Sequence, residues 1–164
     1  MKWTSSFLKS AYHACECSRS IARLRRSAII RGNTVANNTK GIMASSSPDV
    51  QIYNNTVTNN SEFEIRIHDQ GGRRDQPSRY GPHAPKNNYV HHNRITMKIG
   101  YTGATKLPEV NDFVFSAQAN NRFEYNTYRV DNGARRYLHW RNALRAWRQW
   151  RSYGHDTFGS LASF

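Results

Sequence analysis

Apolar residues in the middle of the chain recur at fixed distances from asparagine. In IIRGNTVANN, residues 29–38, Ile30 stands three positions before Asn33 and Val35 two after it. QIYNNTVTNN, residues 51–60, repeats the arrangement with Ile52, Asn55 and Val57, and six of its ten positions are identical. YVHHNRIT supplies Val90, Asn93 and Ile95, and RFEYNTYRV supplies Phe123, Asn126 and Tyr128. The unit, apolar–x–x–Asn–x–apolar, predicts two short strands meeting at a corner. Internal repetition at this period predicts a solenoid.

The four asparagines are 22, 38 and 33 residues apart, so one coil takes about 22 residues and two coils carry insertions. The first insertion, HDQGGRRDQPSRYGPHAPKN, is rich in Gly, Pro and charge, as loops are. The second falls within GYTGATKLPEVND. Asparagine tolerates the left-handed backbone of a sharp corner. With coils stacked at strand spacing, Asn33, Asn55, Asn93 and Asn126 are expected to bond amide to amide as a ladder. A disordered polar tract would not hold apolar residues at fixed offsets from one Asn. A leucine-rich repeat needs several Leu per coil, and residues 27–133 contain Leu107 alone.

This divides the chain into a non-repeat segment, 1–26, coils over 27–133 and a closing segment, 134–164. In YLHWRNALRAWRQWRSYG, residues 137–154, Trp140, Ala143, Leu144, Trp147 and Trp150 fall at helical spacings. Arg141, Arg145 and Arg148 lie opposite, which predicts an amphipathic helix capping the last coil, ended by Gly154. A basic helix on a membrane surface or an acidic partner is the alternative.

Composition narrows the classes. No run of eighteen apolar residues exists, so membrane insertion is not expected. The N-terminus lacks the apolar centre of a secretion signal. Cys15 and Cys17 are the only cysteines, and no second pair or histidine cluster completes a metal site. The net charge of +13 sits mostly at the ends. Residues 1–26 and 134–164 each hold six Lys/Arg against one acid, whereas 27–133 hold twelve against nine. A nucleic-acid groove would concentrate charge with stacking aromatics on one face of the fold, so nucleic acid is not an expected partner, and binding it through the basic termini is only a remote alternative.

With GNTVANNTKGI and IYNNTVTNN in its coils, the chain resembles the right-handed parallel β-helix proteins of the pectin-lyase-like superfamily over roughly residues 27–160. Its tail resembles their closing segment at Trp150, Gly154, Asp156 and Ser160. The resemblance implies an all-β, right-handed parallel β-helix of three to four coils with a C-terminal helical cap. It also implies the C-terminal part of a longer, secreted or cell-surface protein that handles polysaccharide in a groove on one outer sheet. Lyases of the superfamily use an Arg or Lys base, with calcium held by acids, so calcium is expected only with lyase-like chemistry.

The stretch EFEIRIHD, residues 62–69, fits that groove. With Ile65 and Ile67 inward, Glu64, Arg66 and His68 should face out, and Asp69 follows where the long insertion leaves the sheet. Arg66, His68 and Asp69 are the candidate catalytic set, and Glu64, Arg66, His91 and His92 the candidate substrate contacts. No row of acids spans neighbouring coils, as calcium binding would need. Two functions follow: a carbohydrate-associated β-helix with lyase, hydrolase or epimerase character, or a structural or adhesive one without chemistry.

Overall fold

Stacked apolar residues and asparagine corners together build a right-handed parallel β-helix in the computed structural model, which describes residues 27–71, 83–133 and 135–163. Residues 1–26, with Cys15 and Cys17, and residues 72–82 of the first insertion lie outside the described residues. Three strands form each coil. β1 (Ala28–Arg31), β2 (Thr34–Ala36) and β3 (Lys40–Ser45) make the first; β4 (Val50–Tyr53), β5 (Thr56–Thr58) and β6 (Phe63–Asp69) the second. β7 (Tyr89–His91), β8 (Arg94–Met97) and β9 (Tyr101–Lys106) make the third; β10 (Arg122–Glu124), β11 (Thr127–Val130) and β12 (Leu138–Trp140) the fourth.

Equivalent strands pair in parallel into three sheets. The first is β1-β4-β7-β10, and β14 (Ser160–Ser163) joins the second beyond β11. The third runs β3-β6-β9-β12 and ends in an antiparallel partner, β13 (Ala143–Arg145). Register places Ile30, Ile52, Val90 and Phe123 in one inward column and Val35, Val57, Ile95 and Tyr128 in another. Beyond the first coil these residues are fully buried or nearly so.

The four asparagines are in contact rung by rung. Nδ2 of Asn33 donates to Oδ1 of Asn55, Asn55 to Asn93 and Asn93 to Asn126, each at 3.0 Å. The left-handed backbone is one residue earlier than expected. Gly32, Asn54, His92 and Tyr125 hold φ of 67°, 53°, 53° and 58°, and the ladder residues after them do not have positive φ. Turning the chain and bonding along the axis are thus tasks of different residues. A second ladder joins Asn88 to Asn121 at 3.0 Å.

Two expectations about extent need correction. The second insertion begins later, because Tyr101–Lys106 of GYTGATK is strand β9. The closing segment is helical only over Trp147–Ser152, α1; residues 138–145 form the β12–β13 hairpin. Alternation over Leu138, His139 and Trp140 lets β12 extend the third sheet, and that pairing outweighs the helical spacing. Trp150, fully buried, then packs edge-on against Phe123 at 5.0 Å and closes the core.

Candidate functional site

The outer face of the third sheet gathers polar side chains around one missing side chain. Ile65, Ile67 and Ala104 point into the core, so Arg66 and His68 on β6 face outward. His68 pairs in register with Thr105, and Gly103 lies between Arg66 on one side and His139 on the other. A Cβ at residue 103 would lie 2.1 Å from the carbonyl oxygen of His139, and φ there is +147°. Glycine is required for β12 to approach, and its bare backbone leaves a notch beside His139. His139 also lines a cleft of about 440 Å³ together with Thr105, Lys106, Pro108 and Asn142.

Each group around the cleft is held. Nη1 of Arg66 donates to Glu62 and to the hydroxyl of Tyr101, at 3.1 and 3.0 Å, and the guanidinium lies 4.0 Å from the Phe63 ring centre. Its Nε is buried without a hydrogen-bond partner. Nδ1 of His68 meets Thr105 Oγ1 at 2.8 Å, and Nδ1 of His139 meets the Ala104 carbonyl at 2.7 Å. Burial first, then the neighbouring Arg66, lowers the pKa of His68. Burial likewise lowers that of His139, against its bond to Ala104. Both rings are therefore neutral at neutral pH. Tyr101 lies 5.4 Å from His139 and 6.2 Å from Phe63, which makes a short row of rings. Lys106 bonds the Val110 carbonyl at 2.6 Å and pairs with Asp112, pinning the loop that walls the cleft.

The sequence-predicted residues separate into three environments. Arg66 and His68 share the outer face of the third sheet. Glu64, expected outside, is wholly buried: the β6–β9 pairing slips between Phe63 and Arg66, and the Glu64 carboxylate accepts from the backbone N–H and Nδ2 of Asn60. Desolvation raises its pKa to about 7. Asp69 is also buried, and its Oδ1 accepts from the Gly71 N–H at 3.0 Å. Neither carboxylate presents surface to a substrate. His91 and His92 belong to the first sheet and its corner, away from the β6 pair.

Tyr101, Thr105, His139 and Asn142 escaped the sequence reading. The signal for the first two was alternation in YTGATK, obscured by the glycines Gly100 and Gly103. His139 was hidden by the helical reading of its segment. Among the described residues no group of three or more His, Cys, Asp or Glu is placed to hold a metal ion. No described helix is long and apolar enough to cross a membrane.

A family model described as periplasmic copper-binding protein (NosD) matches residues 9–147. No curated protein and no solved structure matches the chain.

Proposed function

The chain belongs to the NosD family of right-handed parallel β-helix proteins, and from that premise we propose that it acts outside the cytoplasm as a polysaccharide-binding β-helix. The family's description places it in the periplasm, in agreement with the extracytoplasmic position expected from the sequence. The observation that carries the binding reading is the cleft beside His139 and Thr105 on the third sheet. Concave sites with a ring surface and a few convergent polar groups are the usual places for small ligands and chain segments. Of the cleft's lining, His139 offers a ring face, with the Tyr101 ring 5.4 Å away, and Thr105, Asn142 and the neutral His139 imidazole offer donors and acceptors suited to hydroxyls.

Binding without bond cleavage is the better-supported form. Asp69 is buried, and Arg66 is committed to Glu62 and Tyr101, so of the set Arg66, His68 and Asp69 only the His68 ring is left to act as a base. The test is retention in gels containing polygalacturonate, alginate or a neutral glucan. His139→Ala and Arg66→Gln should each weaken retention by about tenfold, which corresponds to about 1.4 kcal/mol. Retention of wild type and both variants alike would favour a structural or adhesive β-helix.

Copper in the family's description calls for donors on this chain. Among the described residues His91 and His92 bring imidazole nitrogens together, and imidazole is a ligand that suits copper. Those two imidazoles are hydrogen-bonded to each other and no third His, Cys, Asp or Glu joins them among the described residues, so they do not fit a copper site.

A further inference from the structure

The last coil and its cap present arginine to solvent without acid. Residues 135–163 carry Arg135, Arg136, Arg141, Arg145, Arg148 and Arg151 against a single carboxylate, Asp156, which is wholly buried. Among the described residues no salt bridge ties any of the six to a carboxylate. Three bond backbone carbonyls instead: Arg135 that of Lys98, Arg145 those of Trp140 and Arg141, and Arg151 that of Thr157. Such bonds fix a guanidinium in place and leave its charge uncancelled. Arg141 and Arg145 lie 5.2 and 5.6 Å from the centre of one ring, Tyr153, so like charges are gathered rather than spread. Arg141 also takes the first place in the two-residue turn between β12 and β13, at φ of 49°, where Gly or Asn is the low-cost choice.

We propose that this end of the β-helix docks on an anionic lipid surface, its arginines meeting phosphate headgroups and Phe158 entering the headgroup boundary. Phe158 is 71% exposed and follows Thr157, whose carbonyl Arg151 holds. Its ring stacks on Tyr125 at 5.3 Å, and its N–H donates to Glu124 at 2.7 Å. The other oxygen of Glu124 accepts from Thr157, so the one acid near the ring is engaged in holding it out in solvent. A peripheral protein binds a bilayer through buried apolar area together with charge attraction to anionic lipid, and both are present here. Guanidinium matches phosphate with a planar fork of donors. A soluble polyanion would satisfy the arginines and leave Phe158 in water, so the ring decides between the two. The surface is not an amphipathic helix: α1 has six residues, and its Trp150 faces the core. Arg148, Arg151 and Phe158 do not line the cleft beside His139, so the test does not depend on glycan binding.

The test is co-sedimentation of the full chain with vesicles of phosphatidylcholine, alone or mixed with phosphatidylglycerol. Wild type is expected to pellet with the mixed vesicles, to stay in solution with the neutral ones and to be released by high salt. Arg148→Gln combined with Arg151→Gln should weaken pelleting at least tenfold, and Phe158→Ser severalfold, each with an unchanged thermal melt. Arg148→Gln alone should weaken it about fivefold, and it decides the matter should the pair fail to fold. Retention on immobilised heparin should fall in the arginine pair and stay the same in Phe158→Ser. Residues 1–26 carry six Lys/Arg of their own and are identical in every variant, so equal pelleting of wild type and the folded arginine variants would place vesicle binding elsewhere and overturn the assignment. Failure of wild type to pellet with the mixed vesicles would overturn it too. So would a Phe158→Ser variant that pellets like wild type, which would leave the arginines as a site for a soluble polyanion.

Discussion

Asn126 donates both its backbone N–H and its Nδ2 to Oδ1 of Asp156, each at 3.0 Å. Asn93 makes the same pair of bonds to Asn126, so the ladder runs on past its last asparagine and ends on a carboxylate. Oδ2 of Asp156 accepts from the Tyr128 hydroxyl at 2.7 Å and from Trp150 Nε1 at 2.9 Å. A terminal rung with acceptors on both sides can thus bond the last coil and the capping tryptophan together. An asparagine there could serve only one of them.

Asp156→Asn should therefore destabilise the protein by about 2–3 kcal/mol, because a donor would replace the acceptor that buried Tyr128 and Trp150 share. Urea unfolding measures this. An unchanged midpoint would mean that the ladder does not depend on its last rung. Within the ladder, Asn55→Ala should cost about 1–3 kcal/mol, since Asn33 and Asn93 each lose a partner and the Ile30 carbonyl loses a donor.

The repeat was legible because stacking forces a one-to-one relation between sequence offset and register: Ile52, Asn55 and Val57 sit in line with Ile30, Asn33 and Val35. The same logic missed the second ladder, because its equivalent in the coil beneath is Val50, whose N–H donates to Asn88 with no amide of its own. The assignment of the left-handed residue was off by one because Asn54 and Asn55 are adjacent and either could turn the chain. Glu64 was misplaced by a bulge, which period-two counting does not detect. The site was only half visible, since its central feature is an absent side chain, at Gly103.

Trp150→Ala tests the cap. Trp150 meets Phe123, Trp140 and His155 at centroid distances of 5.0, 6.0 and 4.5 Å and is fully buried. Its loss should cost about 3–5 kcal/mol, a large part of the stability of a small domain. The variant should bind a hydrophobic dye and sediment as aggregate through its opened core. A monomeric variant with an unchanged melting temperature would show that the final coil closes without it.

Gly103→Ala tests how the cleft is built. The new Cβ would press on the His139 carbonyl and require a backbone that alanine resists. Hydrogen exchange should speed up in residues 138–140 while residues 52–57 keep their protection. Glycan retention should fall together with the exchange change. If retention fell and exchange did not, the substituted methyl would be blocking the ligand directly rather than moving His139.

Two buried groups set opposing pH dependences. Glu64, with its pKa raised from 4.5 to about 7, keeps in the folded state a proton that the unfolded chain has released, so its contribution is present below 4.5 and lost as pH rises to 7. His155, lowered by burial from 6.5 to about 4, excludes a proton that the unfolded chain holds, so its contribution is present above 6.5 and lost as pH falls to 4. Its ring lies between Trp140 and Trp150, and neither of its nitrogens has a hydrogen-bond partner. Each effect is on the order of 3 kcal/mol at full extent, so between pH 4.5 and 6.5 they largely cancel. Glu64→Gln removes one of them. The stability difference, wild type minus variant, should fall by on the order of 2–3 kcal/mol from pH 4.5 to 7, whatever constant offset the amide brings. His155→Phe should give a difference of the opposite slope, with wild type losing ground as pH falls from 6.5 to 4. Urea midpoints across that range measure both, and parallel curves for wild type and the Gln variant would mean that Glu64 is ionised in the folded protein throughout.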